Sequence, residues 1–152
     1  MKIKLVIDFL SKEAEEIINY LYEYQKNQVI DLEIYGRSIN NDEINQAYYG
    51  LYYANKYGVG LAYTHEIVKA YHRDHQDIGD LKVVAQTYEL IGYDKNDMID
   101  ALMEGDYVEM HEYFQHLFEE DNITKDCFAY LYSDQNDKKI VIGFEEIKAV
   151  LQ

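Results

Sequence analysis

The sequence predicts an α/β fold over residues 1–152, with a βαβ opening and a ββα close separated by an all-helical block, and three observations predict it. Apolar residues alternate in short runs near both ends of the chain. They recur with helical spacing through the middle, and no linker, low-complexity tract or repeat interrupts the pattern. The reading is one domain, with a two-part core at residues 1–40 and 123–152 and a helical insertion at 41–122.

Ile3, Leu5 and Ile7 alternate and predict the first strand. Ser11 then caps a helix whose apolar positions are Ile17, Ile18, Leu21 and Tyr24, because a serine hydroxyl oxygen accepts from the unpaired N–H groups of a first turn. "VIDLEIY", residues 29–35, alternates again and is closed by Gly36, so a right-handed crossover lays it parallel to the first strand. From Asp42 the period becomes helical, through Ile44, Ala47, Tyr48 and Leu51 at the start and Tyr107, His111, Phe114 and Phe118 at the end. Four or five helices fit this stretch. Gly58, Gly79 and Gly92 fall where helices should stop, since glycine takes the left-handed conformation of a C-terminal cap. "CFAYLYS", the turn-like "DQNDKK" and "IVIGF" then read as a hairpin, and "EEIKAVL" as a terminal helix.

Composition narrows the function. Twenty-nine acidic residues against 14 basic ones give a formal charge of -15, which works against nucleic acid and anionic lipid surfaces. No apolar run approaches the roughly 18 residues that span a bilayer, and "MKIKLVIDFL" turns acidic without a small-residue cleavage site, so a cytoplasmic location is expected. A single cysteine, Cys127, excludes an internal disulfide and agrees with a reducing compartment. Proline is absent and tyrosine occurs 17 times, an abundance that core and half-buried surface explain.

The order βαβ, helical block, ββα is that of a thioredoxin-type core with an insertion between its halves, and the residues carry a family resemblance as well. "EIVKAYHRDHQDIGD", residues 66–80, is similar to a signature of the DsbA-like oxidoreductases related to FrnE and to 2-hydroxychromene-2-carboxylate isomerase. "VVAQTYELIGYDKNDMIDAL" stands in the place of the segment that follows it there. "NQAYYGLYYANKYG" resembles an upstream helix of that family, "IDLEIYGRSINND" its second strand and the turn after it, and "IVIGFEEIKAVL" its C-terminal end. The resemblance covers nearly the whole chain and is weakest at the active site.

There the departures decide the reading. Aligned from Asp8 and Phe9 on the family's CxxC, Ser11 takes the place of the attacking cysteine and Ala14 that of the resolving one. Disulfide exchange needs a thiolate to attack sulfur, and neither position supplies one. "DNITKDCFAYL" corresponds to the family's cis-proline loop and puts Cys127 in the proline position, where a trans bond is expected because a non-proline cis bond costs roughly 2.5 to 4 kcal/mol. The resemblance therefore implies a redox-inactive relative that binds a protein or peptide, since extended peptide is what this cleft binds in catalytic relatives. Ser11, Lys12, Cys127 and Phe128 are the expected binding residues. The alternative it implies is a glutathione-dependent isomerase or transferase-like enzyme in which Ser11 activates the glutathione sulfur.

Each candidate also has a plainer explanation. Capping accounts for Ser11, and burial at the start of a strand accounts for Cys127, although a site beside the first helix N-terminus would favour its thiolate. His72 and His75 could share a helix face, whereas His111 and His116 point apart, and no HExxH frame accompanies them, so neither a metal nor a cofactor is expected. Tyr48, Tyr49, Tyr52 and Tyr53, extended by Tyr57, make an aromatic stripe broader than one helix face buries, and a homodimer or partner interface is expected there.

Overall fold

The computed structural model describes residues 1–38 and 42–152, and its chain runs β1 (Lys2–Ile7), α1 (Lys12–Tyr24), β2 (Asp31–Gly36), α2 (Asn45–Lys56), α3 (Gly60–His72) and α4 (Leu81–Leu90). It continues through α5 (Lys95–Glu104), α6 (Tyr107–Glu120), β3 (Cys127–Tyr132), β4 (Lys138–Ile142) and α7 (Phe144–Leu151). This is the predicted thioredoxin-type order with a helical insertion. The expected boundary between core and insertion, at residues 40 and 41, and part of the turn after β2 lie outside the described residues.

The sheet has four strands in the order β2-β1-β3-β4, with β1 parallel to β2 and antiparallel to β3, and β4 antiparallel to β3. Strand alternation divides its side chains cleanly. Ile3, Leu5 and Ile7 of β1, with Ile34, Ala129 and Val141 beside them, join the main core with Ala14, Ile17, Ile18 and Leu21 of α1, which itself packs on α3. Val6, Phe128 and Tyr130 point the other way and meet Phe118 of α6 in a second cluster. Leu5, Val6 and Ile7 are wholly buried, so both faces are covered at this end of the sheet.

Two details differ from the expected elements. Gly58 and Gly92 take the left-handed φ of +71° and +90° after α2 and α4, but Gly79 ends no helix. α3 stops at His72, the chain turns through His75 at φ 54°, and Gly79 sits just before α4 where a Cβ would lie 2.0 Å from the Glu43 carbonyl oxygen. Close approach of backbone requires that glycine. In the hairpin, Lys138 and Lys139 belong to β4 rather than to the turn, and Gly143 at φ 87° leads directly into α7.

Candidate functional site

β1 ends at Ile7, and the next four residues fold into a turn that hands the chain to α1. Leu10 N–H donates to Asp8 Oδ1 at 2.9 Å and Ser11 N–H to the Asp8 carbonyl at 3.0 Å. Ser11 has the extended backbone of an N-cap, φ -73° and ψ 136°, and its Oγ accepts from the N–H groups of Glu13 at 3.1 Å and Ala14 at 3.4 Å. The hydroxyl is thus engaged in capping. Ala14 is fully buried against the core, and Lys12, fully exposed, is ion-paired with Glu15 one turn on.

Distant elements hold this turn in place. Phe9 is buried and stacks on Tyr48 of α2 at 4.6 Å between ring centroids. The Tyr48 hydroxyl accepts from Phe9 N–H at 3.2 Å and donates to the Arg37 carbonyl at 3.1 Å, with Asp8 Oδ1 at 3.4 Å. His72 of α3 lies with Nε2 2.9 Å from the Phe9 carbonyl oxygen; a carbonyl only accepts, so that nitrogen carries a proton. Asp8 N–H donates to the Asp126 carbonyl at 2.9 Å, which brings the segment before β3 alongside. The expected neighbours, the α1 N-terminus and the loop at Cys127, do meet.

The electrostatics at this meeting point oppose a thiolate. Burial, with the carboxylates of Glu13 and Asp126 close by, pushes the Cys127 thiol up to about 12, and the side chain is wholly enclosed in the main core. This is contrary to the site expected to favour ionisation. Burial likewise raises the Asp8 carboxyl above its ordinary range, with Asp126 adding to the effect while Leu10 N–H opposes it. No peptide bond of the described residues is cis, so the bond entering Cys127 is trans.

Other residues fall elsewhere. Phe128, grouped with Ser11 and Cys127 from the sequence, points to the opposite face of the sheet and packs on Phe118. Strand alternation separates it from Cys127. Tyr48 and Tyr52 are 0% and 3% exposed, which removes them from any interface. Their hydroxyls find partners inside the fold, so the whole width of the stripe need not face outward. Tyr49 and Tyr53 are half-buried against the core. His75 lies beyond the end of α3 and shares no helix face with His72, and the described residues contain no group of three His, Cys, Asp or Glu side chains able to hold a metal.

A second polar assembly has no counterpart among the expected sites. His111 of α6 is 3% exposed, with Nδ1 2.5 Å from the Tyr52 hydroxyl and Nε2 3.0 Å from Ser38 Oγ. Ser38 Oγ also lies 3.1 Å from Asn45 Oδ1, and Gly36 N–H donates to the Tyr52 hydroxyl at 3.3 Å. One ordering satisfies every group: Gly36 N–H to Tyr52, Tyr52 O–H to Nδ1, Nε2–H to Ser38, Ser38 O–H to Asn45. His111 is then a donor to Ser38, the reverse of what a general base requires, and burial lowers it to about 4. The assembly locks β2, α2 and α6 together. Its signal in the sequence is the placement of His111 at an apolar position of its helix.

No family model and no curated protein matches the sequence. Solved structures do. The cytosolic disulfide reductase DsbM from Pseudomonas aeruginosa superposes with a TM-score of 0.77 at 11% identity, covering 99% of this chain and 97% of that one. A 2-hydroxychromene-2-carboxylate isomerase gives 0.76 at 14% identity, covering 99% and 93%. DsbA from Pseudomonas aeruginosa gives 0.71 at 14%, covering 99% and 80%. The chain therefore has the DsbA-like thioredoxin fold with its helical insertion. Its one cysteine, outside the α1 turn, fits a CxxC site that holds neither thiol. Among the described residues no helix is long and apolar enough to cross a membrane.

Proposed function

We propose that this chain is a redox-inactive thioredoxin-fold protein that binds an extended protein or peptide segment at the junction of α1 and the loop entering β3. One contrast carries the reading. The four-stranded core and the insertion are present, while the positions of the chemistry hold a capping Ser11, a buried Ala14 and a buried Cys127 whose ionisation is suppressed. The accessible rim offers half-buried Leu10 beside exposed Lys12. A cytoplasmic location goes with this proposal, since a single buried thiol needs no oxidising compartment.

Fluorescence anisotropy with a labelled, permanently unfolded chain, together with a disulfide-reduction assay, tests the proposal. Saturable binding weakened by Lys12→Glu and Leu10→Asp, with no reduction above the chemical background, is the expected result. Catalysed reduction that disappears in Cys127→Ala sinks the redox-inactive part, and an absence of binding sinks the module.

A glutathione-dependent enzyme using Ser11 is the competing reading, favoured by the likeness to the isomerase and to DsbM, which has also been solved with GSH. Retention on immobilised glutathione, lost in Ser11→Ala, would select it. Against it stand Glu13, Asp8 and Asp126 around the turn, which disfavour a bound thiolate. A homodimer through Tyr49, Tyr53 and exposed Tyr57 belongs to the proposal as a separate part, and a monomer in sedimentation velocity removes it.

A further inference from the structure

The sheet face turned away from α1 is laid out in three cross-strand rows: Tyr35, Val6, Phe128 and Ile142; then Glu33, Lys4, Tyr130 and Ile140; then Asp31, Lys2, Tyr132 and Lys138. α6 covers the first row, with Phe114 on Tyr35 at 4.6 Å and Phe118 on Phe128 at 5.4 Å between ring centroids. Beyond it a cavity of about 260 Å³ opens between the helix and the other two rows. Its walls are aromatic, from Tyr35, Phe114, Phe118, Tyr130 and Tyr132.

Two lysines, Lys4 and Lys138, and two carboxylates, Glu120 and Asp121, line this cavity. Lys138 Nζ lies 5.1 Å from the Tyr130 ring centroid and Lys4 Nζ 5.3 Å from that of Tyr132, which holds both ammonium groups at the aromatic wall. Asp121 accepts from the Tyr130 hydroxyl at 2.5 Å and lies 3.8 Å from Lys138. Glu33, the cross-strand neighbour of Lys4, turns instead to Lys2 at 2.7 Å and to the Tyr35 hydroxyl. Glu120 is exposed at the rim. Lys4 acts on the Glu33 carboxylate at longer range, but among the described residues no carboxylate comes within 4.0 Å of its Nζ, which lies half-buried over the Tyr132 ring at the cavity wall.

We propose that this cavity is a binding site for a planar aromatic carboxylate, its ring against the aromatic walls and its carboxylate on Lys4. A pocket of this kind, apolar with a few placed polar groups, suits a small ligand, and the Lys4 ammonium, with no carboxylate in ion-pair range, gives an anionic one a partner. The formal charge of -15 repels anions at long range, so selectivity comes from contact and affinity is modest, with a Kd of about 0.1 mM. The site lies across the sheet from α1 and is independent of the function proposed for the junction.

Naphthoate is a suitable probe, because the chain has 17 tyrosines and no tryptophan to transfer excitation to the naphthalene ring. One naphthoate per chain is expected, with amide NMR shifts centred on Tyr35, Tyr130 and Tyr132. Lys4→Met, which keeps most of the apolar stem, should weaken it about tenfold. Lys148→Met is the control: Lys148 also lies over aromatic rings, those of Tyr20 and Phe144, but on α7. Naphthylmethanol, lacking the charge, should bind more weakly and equally to wild type and Lys4→Met. Circular dichroism verifies that both variants fold. An absence of saturable binding, equal losses in the two lysine variants, or shifts centred on the α1 turn would each overturn the proposal.

Discussion

His72 Nε2–H donates to the Phe9 carbonyl at 2.9 Å, so a residue of the helical insertion holds the turn that in a catalytic thioredoxin fold would present the nucleophile. The insertion thus fixes the shape of the junction directly. It acts on the same residue as Tyr48, whose hydroxyl takes the Phe9 N–H, and the two contacts satisfy both backbone groups of Phe9 from different helices. Replacing His72 by Ala should cost about 1 kcal/mol, the net worth of one hydrogen bond, while Tyr48→Phe should cost about 1 to 3 kcal/mol because it strands a buried N–H. Urea denaturation measures both. Equal, negligible costs would show that the turn holds itself.

Cys127 should be inert in the native state. With its thiol near 12, the thiolate fraction at pH 8 is about one in ten thousand, and the side chain is enclosed. Alkylation by iodoacetamide is expected to follow global unfolding, rising in proportion to the unfolded population across a urea series. Rapid labelling in native buffer would contradict both the burial and the suppressed ionisation.

What could be read from the sequence here was local. Ser11 announces its cap because one side chain and two neighbouring N–H groups define it, and the alternation of Ile3, Leu5 and Ile7 needs only a strand with one face in the core. What could not be read were pairings over long separations. Whether Tyr48 and Tyr52 face a partner or the interior depends on Arg37, Gly36 and His111, which only the folded topology brings to their hydroxyls. Phe128 shows a subtler failure: adjacent residues of a strand read as one site in the sequence, yet the pleat sends Cys127 and Phe128 to opposite clusters.

His111 should make the fold sensitive to acid. Burial lowers it to about 4 from an ordinary 6.5, so between these values the unfolded chain binds a proton that the folded one does not. A group whose folded value is depressed contributes stability that is fully present above 6.5 and is lost as pH falls toward 4. The difference corresponds to about 3 kcal/mol at most. A protonated ring would also confront Tyr52 O–H with a second donor. His111→Gln should flatten the rise of unfolding free energy between these pH values relative to wild type, even if it lowers stability throughout; an unchanged slope would remove the assignment.

Asp8 carries the opposite sign. Its carboxyl is raised by burial and by Asp126, so the folded chain holds the proton more tightly than the unfolded one. The corresponding contribution favours the fold at low pH and turns unfavourable as pH rises through the unfolded value and then the folded one. Two functions of the side chain can be separated, since Oδ1 accepts from Leu10 N–H and an asparagine amide oxygen can do the same without charge. Asp8→Asn should therefore stabilise the protein near neutral pH, with the gain shrinking as pH falls below the ordinary carboxylate range. Asp8→Ala, which removes the acceptor as well, should give less of that gain or none. Chemical denaturation of the three proteins at neutral and acidic pH checks this. A neutral-pH loss in Asp8→Asn as large as in Asp8→Ala would mean that the charge itself holds the turn, rather than the hydrogen bond to Leu10.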